Sequence, residues 1–447
     1  MRGPLLALTV GVLALAGAAE AQILPLPGGA GGGLPSALPN GGVRGFPSEL
    51  PGRVGDLGDR LERRLERLDP VTRSLLDELT LAPERLTELA RRSGGALELD
   101  PLGWPVVSGE LVATDLSDAA RAQALAEGFT LLREERLQGL DMRLTVLAPP
   151  RRLSLARGLA RLKQLDPGGA YVFNHVHAPA GETSGAVEPP PAPLRPQAGG
   201  TRRVGLIDTG VTTAHPALAG VRVTQQGFAG QPTPAAHGTA VASLLVGEAG
   251  GFRGAAPGAN LYVADVYGGS RAGGSSEALA RALAWMAQNQ VTVVNVSLVG
   301  PRNAVVEAAI RRVSARGITV VAAVGNDGPA APPLYPSAYP GVVGVTAVNA
   351  QDRVLPEAAR GPHVSFAAPG ADIAAAGPGG GYVRVRGASF AAPLVAGLIA
   401  REGLSALSRQ ARDLGAPGRD PVYGAGLVGG GLRVSPQTVG ARGQLSR

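Results

Sequence analysis

The sequence predicts an α/β fold, a mostly parallel sheet covered by helices on both faces, preceded by a small α+β domain. From Thr201 onward, short β-branched apolar runs (VGLID, LYVADVY, VTVVNVSLV, ITVVAAVGN and VVGVTAV) each lead into a helical segment. Continuous apolar strands alternating with helices are the pattern of a parallel sheet buried on both faces. Between about Trp104 and Val176 the periodicity instead runs strand, helix, strand, strand, helix, strand. A proline-rich stretch, GETSGAVEPPPAPLRPQAGG, separates the two regions, and a proline run cannot join a sheet ladder.

Taken in order, residues 1–21 combine a basic start, an apolar stretch and small residues at Ala19 and Ala21. That is the pattern of a signal peptide cut after Ala21, which implies a secreted protein, periplasmic or extracellular. The apolar run is short for a bilayer span, so no stable membrane anchor is expected. Residues 22–56 are rich in Gly and Pro and read as a flexible spacer. Over 57–98, Leu57, Leu61, Leu65 and Leu68 recur at helical spacing, and Leu86 and Leu89 continue after Pro83, predicting amphipathic helices. Residues 99–178 form the small domain, whose element order is that of a ferredoxin-like sandwich. Its second helix carries Leu155, Leu159 and Leu162 on one face. The linker is expected over 179–200 and the large domain over 201–435.

Composition excludes several chemistries. There is no cysteine, which removes disulfides, thiol nucleophiles and thiolate-bound metals. The five histidines, His175, His177, His215, His237 and His363, lack the paired spacing of a zinc site, so no metal and no other cofactor is expected. The net charge of +7 would suit nucleic acid. The arginines are interleaved with acids, however, as in LGDRLERRLERL, and aromatic residues make up only 4%. A solvated helix face explains such charge, and no nucleic-acid partner is expected.

Three residues stand where acyl-transfer chemistry could be assembled. Asp208 ends the apolar run Val204-Gly205-Leu206-Ile207, where the strand gives way to a turn, and His237 opens the helical stretch HGTAVASLLVG. Ser389 lies in the first turn of the apolar helix of GASFAAPLVAGLIA, where a helix N-terminus favours negative charge. Taken singly, a turn-capping Asp, a core His and an N-cap Ser explain each position as well. Together they fit one mechanism, since a serine hydroxyl needs an imidazole to take its proton and the imidazolium needs a carboxylate. The chain order Asp, His, Ser is that of subtilisin and of neither chymotrypsin nor the α/β-hydrolases.

Four stretches make the resemblance to the subtilisin-like serine peptidases explicit: VGLIDTGVTTAHPAL, HGTAVASLLVG, AAVGNDGP and GASFAAPLVAG. With GAAPGANLYVADVY and VNVSLVGP, the likeness spans nearly all of 201–430. It implies a subtilisin-like three-layer fold and serine endopeptidase activity on polypeptide substrates, with Asp208, His237 and Ser389 as triad. It further implies that Asn326 supports the oxyanion with the Ser389 N–H, and that Ser297, Leu298, Val299, Gly300 and Gly325 bind substrate, with a second edge around Gly268 to Gly274. The small domain is similar to the family's propeptide, which templates folding and blocks the site; it is thus expected as an intramolecular partner of a zymogen.

Departures from the family pattern lie close to these residues. Ala388 stands for threonine, Phe390 for methionine, Leu394 for histidine, and Ala240 for the second histidine of the His motif. Val299 replaces a glycine, which places a roomy first specificity pocket in doubt. The connection EAGGFRG is shorter than the family's calcium loop, and calcium is not expected. The alternative reading is an inactive, peptidase-like binding protein.

Overall fold

The structure is a computed structural model that describes residues 88–179, 200–442 and 444–445. The expected leader (1–21), the spacer (22–56), the part of the helical region expected over 57–98 that precedes residue 88, and the linker from 180 to 199 lie outside the described residues; of the remainder, residues 88–92 are helical and Leu97 already belongs to a strand.

The small domain contains β1 (Leu97–Leu99), β2 (Pro105–Thr114), α1 (Asp118–Ala126), β3 (Thr130–Leu137), β4 (Met142–Ala148), α2 (Leu155–Leu165) and β5 (Ala170–His175). Its antiparallel sheet runs β5-β2-β4-β3, with β1 beside the start of β2, the ferredoxin-like arrangement that the periodicity predicts. Ser117 and Ser154 cap the two helices by accepting from the Ala120 and Arg157 N–H groups. Alternation sorts the strand residues between two cores. Leu111, Ala113 and Leu147 pack against Leu155, Leu159 and Leu162 of α2, whereas Val112, Met142, Leu144 and Val146 face the other way, into a core shared with the large domain.

Beyond the two-residue strand β6 (Ala178–Pro179), the large domain opens with β7 (Arg203–Asp208), β8 (Val223–Gly227) and α3 (Ala236–Val246). The short hairpin of β9 (Glu248–Ala249) and β10 (Phe252–Arg253) leads to β11 (Asn260–Asp265), α4 (Ser276–Gln288), β12 (Val293–Val296), β13 (Leu298–Val299) and α5 (Ala304–Ala315). Then come β14 (Thr319–Ala323), β15 (Val343–Val348), β16 (Val364–Pro369), β17 (Ala371–Ala376), β18 (Tyr382–Arg386), α6 (Ala388–Glu402) and α7 (Leu404–Gln410). Seven strands form one parallel sheet in the order β16-β15-β14-β12-β7-β11-β8.

Helices cover both faces, giving the three-layer α/β fold. Val204 and Leu206 of β7 point into the core formed with α3 and α6. Ile207, with Val294 and Val296 of β12, points into the core of α4 and α5. α3 is buried from His237 to Val246 and α6 from Ala388 to Ile399, which is why neither shows a polar face. The sheet face of the small domain packs on α4 and α5 as a further layer. There the backbone at Gly139 approaches so closely that a Cβ would lie 2.1 Å from the Ala284 carbonyl oxygen.

Charged side chains seal this contact. The Arg133 guanidinium reaches Glu110 at 2.7 Å and Glu277 at 2.6 Å, Arg312 reaches Asp115 at 2.6 Å, and Arg281 reaches Glu135 at 2.8 Å. Hydrogen bonds from Arg133 to the two glutamates raise its pKa further, despite the opposing cost of burial. The arginine-acid interleaving of the sequence thus serves packing as well as solvation.

Two expected boundaries move: the small domain was expected from 99, but its first strand already starts at Leu97. The linker was expected to begin at 179, but Pro179 pairs with Leu298 in the strand contact of β6 and β13. A proline is tolerated at the end of a two-residue strand because few ladder bonds require its N–H.

Candidate active site

The sequence-predicted site residues gather at the carboxyl ends of the parallel strands, where open α/β sheets bind ligands. Asp208 is the last residue of central β7, Ser297 follows β12, and Gly325 and Asn326 follow β14. His237 and Ser389 are each the second residue of their helices, α3 and α6.

His237 donates from Nδ1 to the Asp208 carboxylate, at 2.8 and 3.0 Å from its two oxygens. The Thr209 N–H holds the same carboxylate at 2.7 Å. Both side chains are buried, at 0% exposure for Asp208 and 1% for His237. With the proton on Nδ1, the lone pair of a neutral ring lies on Nε2, which is buried without a hydrogen-bond partner. The ring sits beside the first turn of α6, its centroid 5.4 Å from that of Phe390. An imidazole oriented in this way can accept a proton at Nε2 while the carboxylate stabilises the charge.

Ser389 is not the N-cap; that position belongs to Gly387, which offers no side chain. The capping contact comes instead from Asn326, whose Oδ1 accepts from the Ala388 N–H at 3.0 Å. This bond sets the Asn326 amide against the first turn of α6. Pro393 lies in the same helix and lacks the N–H that would reach back to the Ser389 carbonyl. Ser297 Oγ donates to that carbonyl at 3.0 Å and itself accepts from Asn295 Nδ2 at 2.9 Å. A buried network therefore fixes β12 and β13 to the backbone of Ser389.

Between β13 and the Gly274-Ser275 segment lies the chain's own tail of the small domain. At the end of β5, Asn174 Oδ1 accepts from the Glu277 N–H and the His175 carbonyl accepts from Ser276 Oγ, both at 3.1 Å, at the start of α4. His175 is held at Nδ1 by Asn303 at 3.0 Å, and at Nε2 it faces Asp100 at 3.1 Å. Burial alone would raise the Asp100 pKa, but the bonds from His175, Trp104 and Leu102 outweigh it and hold the carboxyl below its usual range. Val176 then pairs with Ser275, the His177 N–H donates to the Gly274 carbonyl at 2.8 Å, and Ala178 and Pro179 pair antiparallel with Val299 and Leu298.

The His177 ring lies on Gly300, where a Cβ would come within 2.6 Å of its Cδ2, so only glycine lets the ring seat. Neither ring nitrogen has a partner. Burial, reinforced by neighbouring His175, lowers its pKa to about 4. Tyr267 closes the other side, donating its hydroxyl to the His177 carbonyl at 2.7 Å. Sequence reasoning marked the two edges but missed His177 and Tyr267, because nothing local to either residue records a contact made 90 positions away.

Comparisons with known proteins agree with this architecture. The subtilase family model matches residues 199–407. The chain is 31% identical over 284 residues to an alkaline protease of Alkalihalobacillus alcalophilus, covering 59% of this chain and 74% of that protein. It is 33% identical over 256 residues to subtilisin Savinase of Lederbergia lenta, covering 54% and 94%. In structure it is similar to fervidolysin of Fervidobacterium pennivorans, with a TM-score of 0.61 at 20% identity. That match covers 75% of this chain and 62% of fervidolysin, and it is a likeness of fold. With this sheet, these helices and this identity over most of a relative's length, the chain belongs to the subtilase family of serine peptidases.

Proposed function

We propose that the protein is a secreted serine endopeptidase that hydrolyses peptide bonds through an acyl-enzyme on Ser389. The observation that carries this reading is the His237 imidazole, bound through Nδ1 to buried Asp208 and presenting an unpartnered Nε2 beside the first turn of α6. In the first step Ser389 Oγ attacks the substrate carbonyl and its proton passes to His237 Nε2. Asp208 holds the imidazolium, which returns the proton to the leaving amine. Water then repeats the sequence on the ester and releases the acid. The developing oxyanion is stabilised by the Asn326 amide and the Ser389 N–H, aided by the N-terminal end of α6.

Substrate binds as an added strand along Ser297, Leu298, Val299 and Gly300, with Gly325 across the cleft, since main-chain pairing supplies affinity without demanding a sequence. The small domain acts as a propeptide whose tail, Val176 to Pro179, occupies that same strand position. Secretion rests on the leader pattern of residues 1–21.

Ser389→Ala and His237→Ala, each removing one member of the nucleophile-base pair, are expected to lose casein hydrolysis while keeping the circular dichroism of the parent. Wild-type-like turnover in either would falsify the assignment. A wild type without peptidase activity would favour the inactive binding protein.

A further inference from the structure

The cleft beside Ser389 is narrowed by two aliphatic side chains that meet over Gly325. That glycine precedes Asn326 and has φ of +101°. A Cβ placed on it would lie 2.7 Å from Leu334 Cδ1 and 3.7 Å from Val299 Cγ1. Leu334 is held there by its neighbour, since Tyr335 and Gly300 exchange two backbone hydrogen bonds of 2.9 Å. It is 3% exposed, and a side chain in a close-packed interior moves aside only at the cost of its neighbours' contacts.

The register of the tail says which substrate residue meets this obstruction. Residues 178 and 179 pair with Val299 and Leu298, so a peptide held in the same register presents its next residue opposite Ser297. Ser297 Oγ is bonded to the Ser389 backbone carbonyl, which sets that strand position beside Ser389, and in the proposed reading the carbonyl of that next residue is the one attacked there. Its side chain must enter the gap between β13 and the Gly325 corner, where Val299 and Leu334 already stand. In the chain's own sequence the residue after Pro179 is Ala180, followed by Gly181.

We propose that Leu334, together with Val299, restricts the residue on the acyl side of the scissile bond to a small one, alanine, glycine or serine. This rests on the reading of Ser389 as nucleophile and names the substrate class of that site. Leu334 is the specificity-determining residue that the sequence motifs do not mark. Its four-carbon side chain occupies space that an aromatic or long aliphatic substrate side chain would need. A single surplus methylene in a closed apolar pocket discriminates by about 10- to 200-fold. A phenyl ring in place of a methyl exceeds that mismatch several times over.

The test compares the p-nitroanilides of Ala-Ala-Pro-Ala and Ala-Ala-Pro-Phe, hydrolysed by the purified full chain, with fluorophosphonate labelling of Ser389 in parallel. The expected kcat/KM ratio favours alanine by about 100-fold or more in the wild type. Leu334→Gly, and the milder Leu334→Ala, are expected to shift that ratio towards phenylalanine by about 10-fold or more. A wild-type ratio at or below one overturns the proposal whatever the variants do, and so does an unchanged ratio in a folded Leu334→Ala enzyme. If Ser389 takes up the label but neither peptide is cut, the restriction to small residues is wrong. If Ser389 takes up no label, the peptidase reading itself fails and carries this inference with it.

Discussion

An imidazole buried without a hydrogen-bond partner is costly to protonate, and His177 is such a group at the contact between the tail and the cleft. Burial and nearby His175 lower its pKa to about 4 in the docked state, against about 6.5 for a solvated histidine. Below pH 6.5 the released tail binds a proton that the docked tail does not. Docking is therefore strongest above about pH 6.5 and weakens as pH falls towards about 4. In the Ser389→Ala protein, protection of the amides from Asn174 to Ala178 against hydrogen exchange, corrected for intrinsic rates, is expected to fall between pH 7.5 and pH 5. His177→Phe should keep protection nearly level across that range. Equal protection at both pH values in the His177 protein would contradict this account. Legibility at this scale was uneven. Asp208, His237 and Ser389 were picked out because each lies at, or one residue from, the end of an element with strong periodicity, whereas Asn326, in the loop after β14, was marked only by the family resemblance of its motif. His177 and Leu334 were not, since their environments come from chain segments remote in sequence.

At the scale of elements, the tail behaves as a strand inserted between β13 and Gly274-Ser275, anchored upstream at the N-terminal ends of α4 and α5 by Asn174, His175 and Asn303. This placement narrows where the chain should cut itself. A peptide bound in the register proposed above would offer the bond after Ala180 to Ser389, whereas a cut before Pro179 is disfavoured because proline lacks the N–H and constrains the peptide. Mass spectrometry of the purified wild type is expected to find a mature chain beginning at Gly181 or within the following residues up to Gly200. Ser389→Ala should retain the small domain. An uncut wild type that nonetheless digests casein would remove the propeptide role. The apolar strands β7, β11, β12, β14 and β15 were plain in the sequence because both their faces are buried. β8 and β16 were not, since an edge strand such as Val223–Gly227 alternates between half-buried and exposed positions, and Val364–Pro369 ends in a proline.

At the scale of the whole molecule, the small and large domains share one apolar core across the small sheet, α4 and α5, with arginine-carboxylate pairs around it. If the small domain acts as the proposed propeptide, such a contact would hold the tail beside β13 at high effective concentration, and a modest strand pairing would then suffice to block the site. The order of the two domains and the break between them were legible from the change in periodicity. Their mutual packing was not, because a sheet with both faces apolar says only that something covers it. The account as a whole depends on Ser389 being an activated nucleophile. The most direct measurement is the reaction of the purified chain with a fluorophosphonate, followed by peptide mapping of the adduct. The account predicts one adduct, on Ser389, lost in Ser389→Ala and strongly slowed in His237→Ala. Absence of an adduct from the wild type with its tail removed, or an adduct formed equally fast without His237, would contradict it.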